Sequence, residues 1–418
     1  VYLVLLVWAL APGLRRVIDW KSSFNAVSIV SILPLIALIP AAIAIAMNAR
    51  SRSLPREAVV VFWLWLGAFG YAYAVALAIG NAVAATYTLA GFLLPMFFGI
   101  WLMFADRSDA TITYERIASF ALAISVPVSL YACFQFVAPP PWDVLWMQQT
   151  QLVSIGIPEP FQFRVFSTLN APGPFADFLI YVLIFNLPRI AGATFLRGCA
   201  IAIDVVALGL TLARADWIAL GVAIVVFVAL SPRKLANLSV IGVVALVFAL
   251  FAVNAGTLFG SDQAQSDLAT RIGSFGDLSN DTSFIERQRF FASALSTAIA
   301  EPTGEGLGVV GTAAKLGSTG TTLDFDNGYV ARFTEMGYFG TAAYLAAILT
   351  MFVLTARRWW VLDRAGHAKA ASIAAAALAL QVALIFLDAS SDHHAQLSAL
   401  FYWLAFGLVF GKDVTVRV

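Results

Sequence analysis

Charge is what this sequence has least of. Asp, Glu, Lys and Arg make up 12% of its 418 residues, against roughly 25% in a soluble domain. With 61% hydrophobic residues and a mean hydropathy of +0.86, that shortage excludes the water-soluble globular classes and leaves a polytopic membrane protein. Cysteine is equally scarce. Cys133 and Cys199 each lie in an apolar run, so they read as packing residues and not as a disulfide or metal pair. A net charge of +1 carries no sign of a nucleic-acid partner, and placement of charge matters more than its sum. The chain opens at Val1 inside an apolar run without Met, so a preceding segment is expected. No small-residue cleavage site follows that run, which excludes reading it as a signal peptide.

What is present is a succession of apolar runs near the roughly 20-residue spanning length. They fall at about 1–14, 25–47, 58–79, 82–104, 114–137 and 170–188, then at 195–213, 215–230, 235–254, 326–355, 369–388 and 393–411. The expected fold class is all-α, a polytopic helical bundle of about 12 transmembrane helices. Because lipid acts as solvent, one such domain can use all of 1–418. Pro34 and Pro40 are expected to kink the second run.

Basic residues orient the spans. Arg50, Arg52 and Arg56 follow the second run, Arg107 and Arg116 sit at the fourth connection, and Arg189 and Arg197 at the sixth. Arg233 and Lys234 follow the eighth, Arg357, Arg358, Arg364 and Lys369 the tenth, and Lys412 and Arg417 lie in the tail. These even-numbered connections share one side, the cytoplasm. Arg15, Arg16 and Lys21 dissent: either they belong to an interfacial helix or the first span is misdrawn. The majority puts two long loops, 138–169 and 255–325, on the outer face. Loops of that length carry function or are disordered. The second holds a helix candidate, Ser283–Ala300, with Phe284, Phe291, Leu295 and Ile299 on one repeating face.

Ionisable residues at membrane edges are functional candidates by default, since mid-membrane charge costs roughly 2.5–3.5 kcal/mol on insertion scales. Arg164 stands just before a turn made by Asn170, Pro172, Gly173 and Pro174; its plainer reading is an interface anchor. Arg214 and Asp216 occupy a tight turn between two apolar runs, where they either neutralise each other or work. Arg287 and Arg289, two apart in the helix candidate, point to different faces, and Arg287 shares its face with Phe284, Phe290 and Phe291. The run Pro302-Thr303-Gly304-Glu305-Gly306-Leu307-Gly308 is too loosely patterned for a phosphate loop and reads as a place of close backbone approach. Asp324 and Asp326 form a D-x-D spacing, for which metal is the minority reading. Asp326-Asn327 also suits a helix cap. Glu335, inside the next apolar run, requires an arginine such as Arg332 or a loop donor. Asp388, Asp392, His393 and His394 gather at the last turn; such a cluster can bind metal, and a short solvated connection is the preferred reading.

In order along the chain, these pieces resemble the O-antigen polymerase and ligase family (Wzy/WaaL-like). The resemblance rests first on Arg164 with Phe166, Thr168, Asn170 and Pro172, then on Leu210-Thr211-Leu212-Ala213-Arg214 with Trp217. It continues with Arg287 fifteen residues before Pro302 of the P-x-G-x-G-x-G run, and ends at Asp326-Asn327 with Glu335, Gly337 and Gly340. Each motif is weak alone, and the ordered set, over roughly 164–340, is fairly specific. The resemblance implies a glycosyltransferase of the bacterial inner membrane with its site toward the periplasm, on loop 255–325. It further implies undecaprenyl-diphosphate-linked glycans as donor and acceptor, membrane lipids around it, and flippase and chain-length regulator proteins as partners. No cofactor and no metal are implied. Asp326, Arg287 and Arg214 would be catalytic, and Arg164, Arg289, Asn327 and Glu335 would bind substrate. Ligases of the family carry histidine where this chain has Asp326, which favours a polymerase of surface polysaccharide over a ligase. The competing class is a transporter or flippase for a polyprenyl-linked substrate. Twelve spans fit it equally, but the two halves show no duplication and the charges cluster toward one face.

Overall fold

The computed structural model describes residues 1–25, 28–48, 56–104, 110–150, 153–232, 301–317 and 327–411, with scattered positions between 238 and 300. Among the described residues the structure is helices and their connections, with an isolated bridge between Gly156 and Phe163. In chain order the helices are α1 (Tyr2–Lys21), α2 (Leu33–Ile36), α3 (Ile39–Asn48), α4 (Arg56–Ala78), α5 (Ala82–Phe104) and α6 (Ala110–Val137). Then come α7 (Pro141–Thr150), α8 (Pro172–Asn186), α9 (Phe195–Leu210), α10 (Arg214–Leu230), α11 (Gly328–Arg364), α12 (Ala368–Leu387) and α13 (Gln396–Val409).

Among the described residues seven stretches are long and apolar enough to cross a membrane, and α13 is a shorter apolar helix. The expected all-helical multi-pass class is therefore present; the expected count of about twelve spans goes beyond these seven. As its prolines led one to expect, the run 25–47 is broken, into a 3-10 turn, α2 and α3, with Pro34 and Pro40 each at the beginning of a helical piece. Two boundaries differ from expectation. α1 continues to Lys21, so Arg15 and Arg16 lie in a helix and not in a loop. α11 continues to Arg364, carrying Arg357 and Arg358 with it. Of the helix candidate 283–300, only Phe291, Leu295, Ser296, Ile299 and Ala300 are described, and all five are helical.

The chain divides into two compact units, Val1–Ala37 with Thr111–Asp277 and Leu38–Ala110 with Leu278–Val418. In the first, α8 is buried on nearly every side, as an apolar helix without a polar face must be. Tyr114 donates to the Phe185 carbonyl at 2.8 Å over stacked rings. Asp204, in α9, accepts from Ser125 at 2.6 Å and Ser129 at 2.7 Å, so its buried oxygens are satisfied by hydroxyls.

In the second unit α5 and α13 meet through glycine. A Cβ at Gly99 would stand 2.5 Å from the Trp403 carbonyl oxygen, which is how small residues bring membrane helices together. α12 buries a run of alanines, Ala374 to Ala377 among them. Trp65, Phe69, Phe92, Tyr344 and Trp403 fill the space between α4, α5, α11 and α13, with Phe69 and Phe92 stacked at 4.0 Å.

Two glycines separate packing from propensity. Gly99→Ala should cost about 1–3 kcal/mol, because the added methyl meets backbone and not a movable side chain. Gly67→Ala, where nothing lies within 4 Å of the new Cβ, should be neutral or stabilising by up to about 1 kcal/mol. Thermal unfolding of the two variants in detergent, compared with the parent protein, checks the contrast.

Candidate active site

The first unit brings together two stretches that the sequence leaves 47 positions apart. Arg164 is half-buried in the segment leading to α8. Its Nε donates to the Thr211 carbonyl at 2.8 Å and its Nη1 to the Ser154 carbonyl at 3.3 Å. Its backbone N–H donates to Ile155, and that of Val165 reaches Leu210. Thr211 ends α9, Leu212 turns at φ +51°, and Arg214 opens α10. That turn is held from within. Thr211 Oγ1 donates to the Leu208 carbonyl at 2.6 Å and accepts the Ala213 N–H, while Trp217 Nε1 donates to the same Leu208 carbonyl at 3.0 Å. Threonine and tryptophan in the L-T-x-x-R-x-x-W pattern are thus the fasteners of the turn that presents Arg214. Arg214 is partly exposed, and Asp216 is buried in the first turn of α10, where a helix N-terminus favours a carboxylate.

The stretch after Arg164 is held by buried side chains. Phe166 and Ser167 donate their backbone N–H groups to Gln135 Oε1, at 3.1 and 3.0 Å. Arg16 donates to the Ser167 carbonyl and pairs with Asp143 at 3.0 Å. Burial pushes the Asp143 carboxyl above the usual range, against the pull of Arg16 and of donors from Tyr131 and Gln135. Arg16 and Asp143 were not sequence candidates. The signal that pointed to Arg16 was the dissent of Arg15 and Arg16 from the distribution of basic residues, while Asp143 had none; burial accounts for the dissent, since a paired arginine inside a helix says nothing about orientation.

In the second unit Asn327 caps α11, its Oδ1 accepting the Val330 N–H at 3.0 Å while its Nδ2 donates to Ala389 at 3.1 Å. Glu335 is fully buried and has both partners the sequence demanded. It pairs with Arg332 and accepts the Gly308 N–H at 2.8 Å. The helix is interrupted two residues later, at Gly337 with φ +57°. Carbonyls freed there are taken by the glycine run: Glu305 N–H donates to Thr334 and Gly306 N–H to Glu335. Gly304, Gly306 and Gly308 all have positive φ, and a Cβ on each would stand within 2.7 Å of backbone in α11, α4 or α5. The run is therefore a backbone splice, the close approach that its composition suggested. Burial and the neighbouring Glu301 hold the Glu305 carboxyl above the usual carboxylate range.

The turn after α12 departs from expectation. It is a buried network and not a solvated connection. Asp388 Oδ1 accepts the His393 N–H at 2.8 Å, Asp388 Oδ2 meets His394 Nδ1, and Arg332 bonds Asp392 at 2.9 Å while lying over the Phe92 ring. His394 is fully buried, with the Tyr402 ring centroid at 4.9 Å. Spacing alone had no means of showing that aromatics from α4, α11 and α13 close over it. Of the other sequence candidates, Arg287, Arg289, Asp324 and Asp326 lie outside the described residues.

Glu335→Ala leaves Arg332 and the Gly308 N–H without their buried partner and should destabilise by about 3–5 kcal/mol. Asn327→Ala removes a cap and should cost about 0.5–2 kcal/mol. The ratio of folded, monodisperse protein recovered after graded heating gives the order of the two; a smaller loss for Glu335→Ala contradicts the account of the splice.

No curated protein matches this chain. Residues 199–345 match the family model described as O-Antigen ligase, a segment that includes Arg214, the glycine run, Asn327 and Glu335. Through that segment, about a third of its length, the chain is similar to the O-antigen ligase family, which supports the resemblance drawn from its motifs.

Proposed function

We propose that this protein is a membrane glycosyltransferase of about twelve spans that polymerises polyprenyl-diphosphate-linked oligosaccharide repeats at the outer face of the inner membrane. Its donor is a growing glycan on undecaprenyl diphosphate, its acceptor a lipid-linked repeat, and its working loop is 255–325. The observation that supports it most is the bond from Arg164 to Thr211. The first two motifs of the family pattern, remote in sequence, are parts of one local structure whose turn opens α10 with Arg214.

The chemistry follows from the side chains. Breaking the bond from the sugar to its carrier leaves a diphosphate, and fixed cations stabilise that leaving charge. Guanidinium groups suit the task because their forks match phosphate oxygens in pairs and stay protonated when partly buried. Arg214 and Arg287 take this role, with Arg164 and Arg289 as further cations for the donor. Attack by an acceptor hydroxyl opposite the leaving group inverts the anomeric centre. Asp326 receives the proton; a carboxylate of ordinary pKa near 3.9 is a weak base, and desolvation is what would strengthen it. Asn327 and Glu335 shape the acceptor side. The arginines supply the charge that a metal would otherwise bring. Flippase and chain-length regulator proteins are the expected neighbours.

Aspartate in place of the family histidine at 326 favours polymerisation over transfer to a lipid core, whereas the matched model carries the ligase description. Glycan analysis of a deletion strain restored with parent or variant protein decides. Loss of long chains with single lipid-linked repeats accumulating outside supports the polymerase; polymer made but not joined to its lipid anchor means ligase. Repeats trapped on the cytoplasmic leaflet mean a transporter and overturn the proposal. Arg214→Ala and Arg287→Ala should each cut polymer yield about 10²–10³-fold, the loss typical of a transition-state charge partner. Arg287→Lys, which keeps charge but loses the fork, should fall well below the parent; unchanged chain length and yield would remove the diphosphate clamp.

A further inference from the structure

Arg16 is 1% exposed, deep in α1, and nothing in the motif pattern accounts for it. A buried arginine is expensive even when paired, and an apolar pair of similar volume is often as stable or more so. Its contacts suggest why charge is kept there. One guanidinium reaches three groups: the Asp143 carboxylate at 3.0 Å, the Ser167 carbonyl, and the face of the Phe166 ring at 4.8 Å. Asp143 is in turn fixed through its other oxygen by Tyr131 and Gln135, both at 2.7 Å. Gln135 then closes the circuit by accepting the N–H groups of Phe166 and Ser167.

Two successive N–H groups and the following carbonyl are thus held by side chains and not by any regular element. They hold a strained conformation. Ser167 has φ +50°, a region that non-glycine residues occupy at a cost and retain when their surroundings over-determine them. α1 is seated against the same turn, with Thr168 donating to the Ala9 carbonyl at 2.6 Å and Gly13 facing Thr168 so closely that an added Cβ would stand 3.2 Å from it. Two residues upstream of this clamp stands Arg164, whose own backbone and Nε are bonded to Ile155 and Thr211.

We infer that Arg16, with Asp143 and Gln135, is a positioning residue that sets Arg164 toward the lipid diphosphate through the Phe166-Ser167 turn. The inference rests on the reading of Arg164 as a donor-binding cation. Lysine would keep the charge toward Asp143, but a single ammonium lacks the planar fork that serves carboxylate and carbonyl together.

The test is a double-mutant cycle read in binding of undecaprenyl diphosphate to the full chain in lipid nanodiscs, for parent, Arg16→Lys, Arg164→Ala and the double variant. Each single change should weaken binding about tenfold, the worth of one charged hydrogen bond. The double variant should be no weaker than Arg164→Ala alone to within about twofold, since a residue that acts through another adds nothing once that other is gone. Gln135→Met, which leaves the charges in place, should behave as Arg16→Lys does and serves where the latter yields no folded protein. Parent-like binding by Arg164→Ala would refute the reading of Arg164. Weakened binding by Arg164→Ala together with parent-like binding by Arg16→Lys, or losses that add in the double variant, would overturn the positioning role alone.

Discussion

A charge taken out of water must bring its partner with it, and much of this protein's architecture follows from that constraint. Glu335 shows the consequence. An acid inside an apolar helix needs a cation and a donor, and Arg332 and the Gly308 N–H supply them. The donor is available because the glycine run lies against α11, and it lies there because Gly337 interrupts the helix and frees carbonyls for the loop to cap. Ion pair, kink and loop are one solution. Without side chains at 304, 306 and 308 the backbones come close enough to bond.

The same constraint shapes the other unit with different parts. Arg16 and Asp143 are both buried; Arg16 also donates to the Ser167 carbonyl, while Asp143 accepts from Gln135, which in turn accepts the N–H groups of Phe166 and Ser167. Polar groups inside a low-dielectric interior bond strongly and tolerate few alternatives. A turn made in this way is more rigid than one on the surface, which suits the role proposed for Arg164. Asp204, by contrast, needs only two serines.

The family match and the geometry inform different questions. The match over residues 199–345 supports a glycosyltransferase-type activity. The geometry explains why particular residues of the pattern have the chemistry they do: Thr211 and Trp217 fasten a turn, Asn327 caps a helix, and glycines allow a splice. Several residues of the pattern thus act by building local structure, and the turn fastened by Thr211 and Trp217 is the one that opens α10 with Arg214.

The sequence by itself determined the class, because a chain so poor in charge and so rich in long apolar runs can bury its backbone only as membrane helices. It also determined the order of motifs, the break at Pro34 and Pro40, the cap at Asn327 and the need of Glu335 for a partner, since each follows from neighbours in the chain. Tertiary structure alone decided the rest. Arg164 meets Thr211 across 47 positions, Arg16 meets Ser167 across 151, and Arg332 meets Asp392 across 60. His394 looked like part of a wet turn until aromatics from three other helices closed over it. Local spacing fixes which faces are apolar and where helices end, but which buried charge meets which partner depends on how helices pack, and no single segment of the chain contains that information.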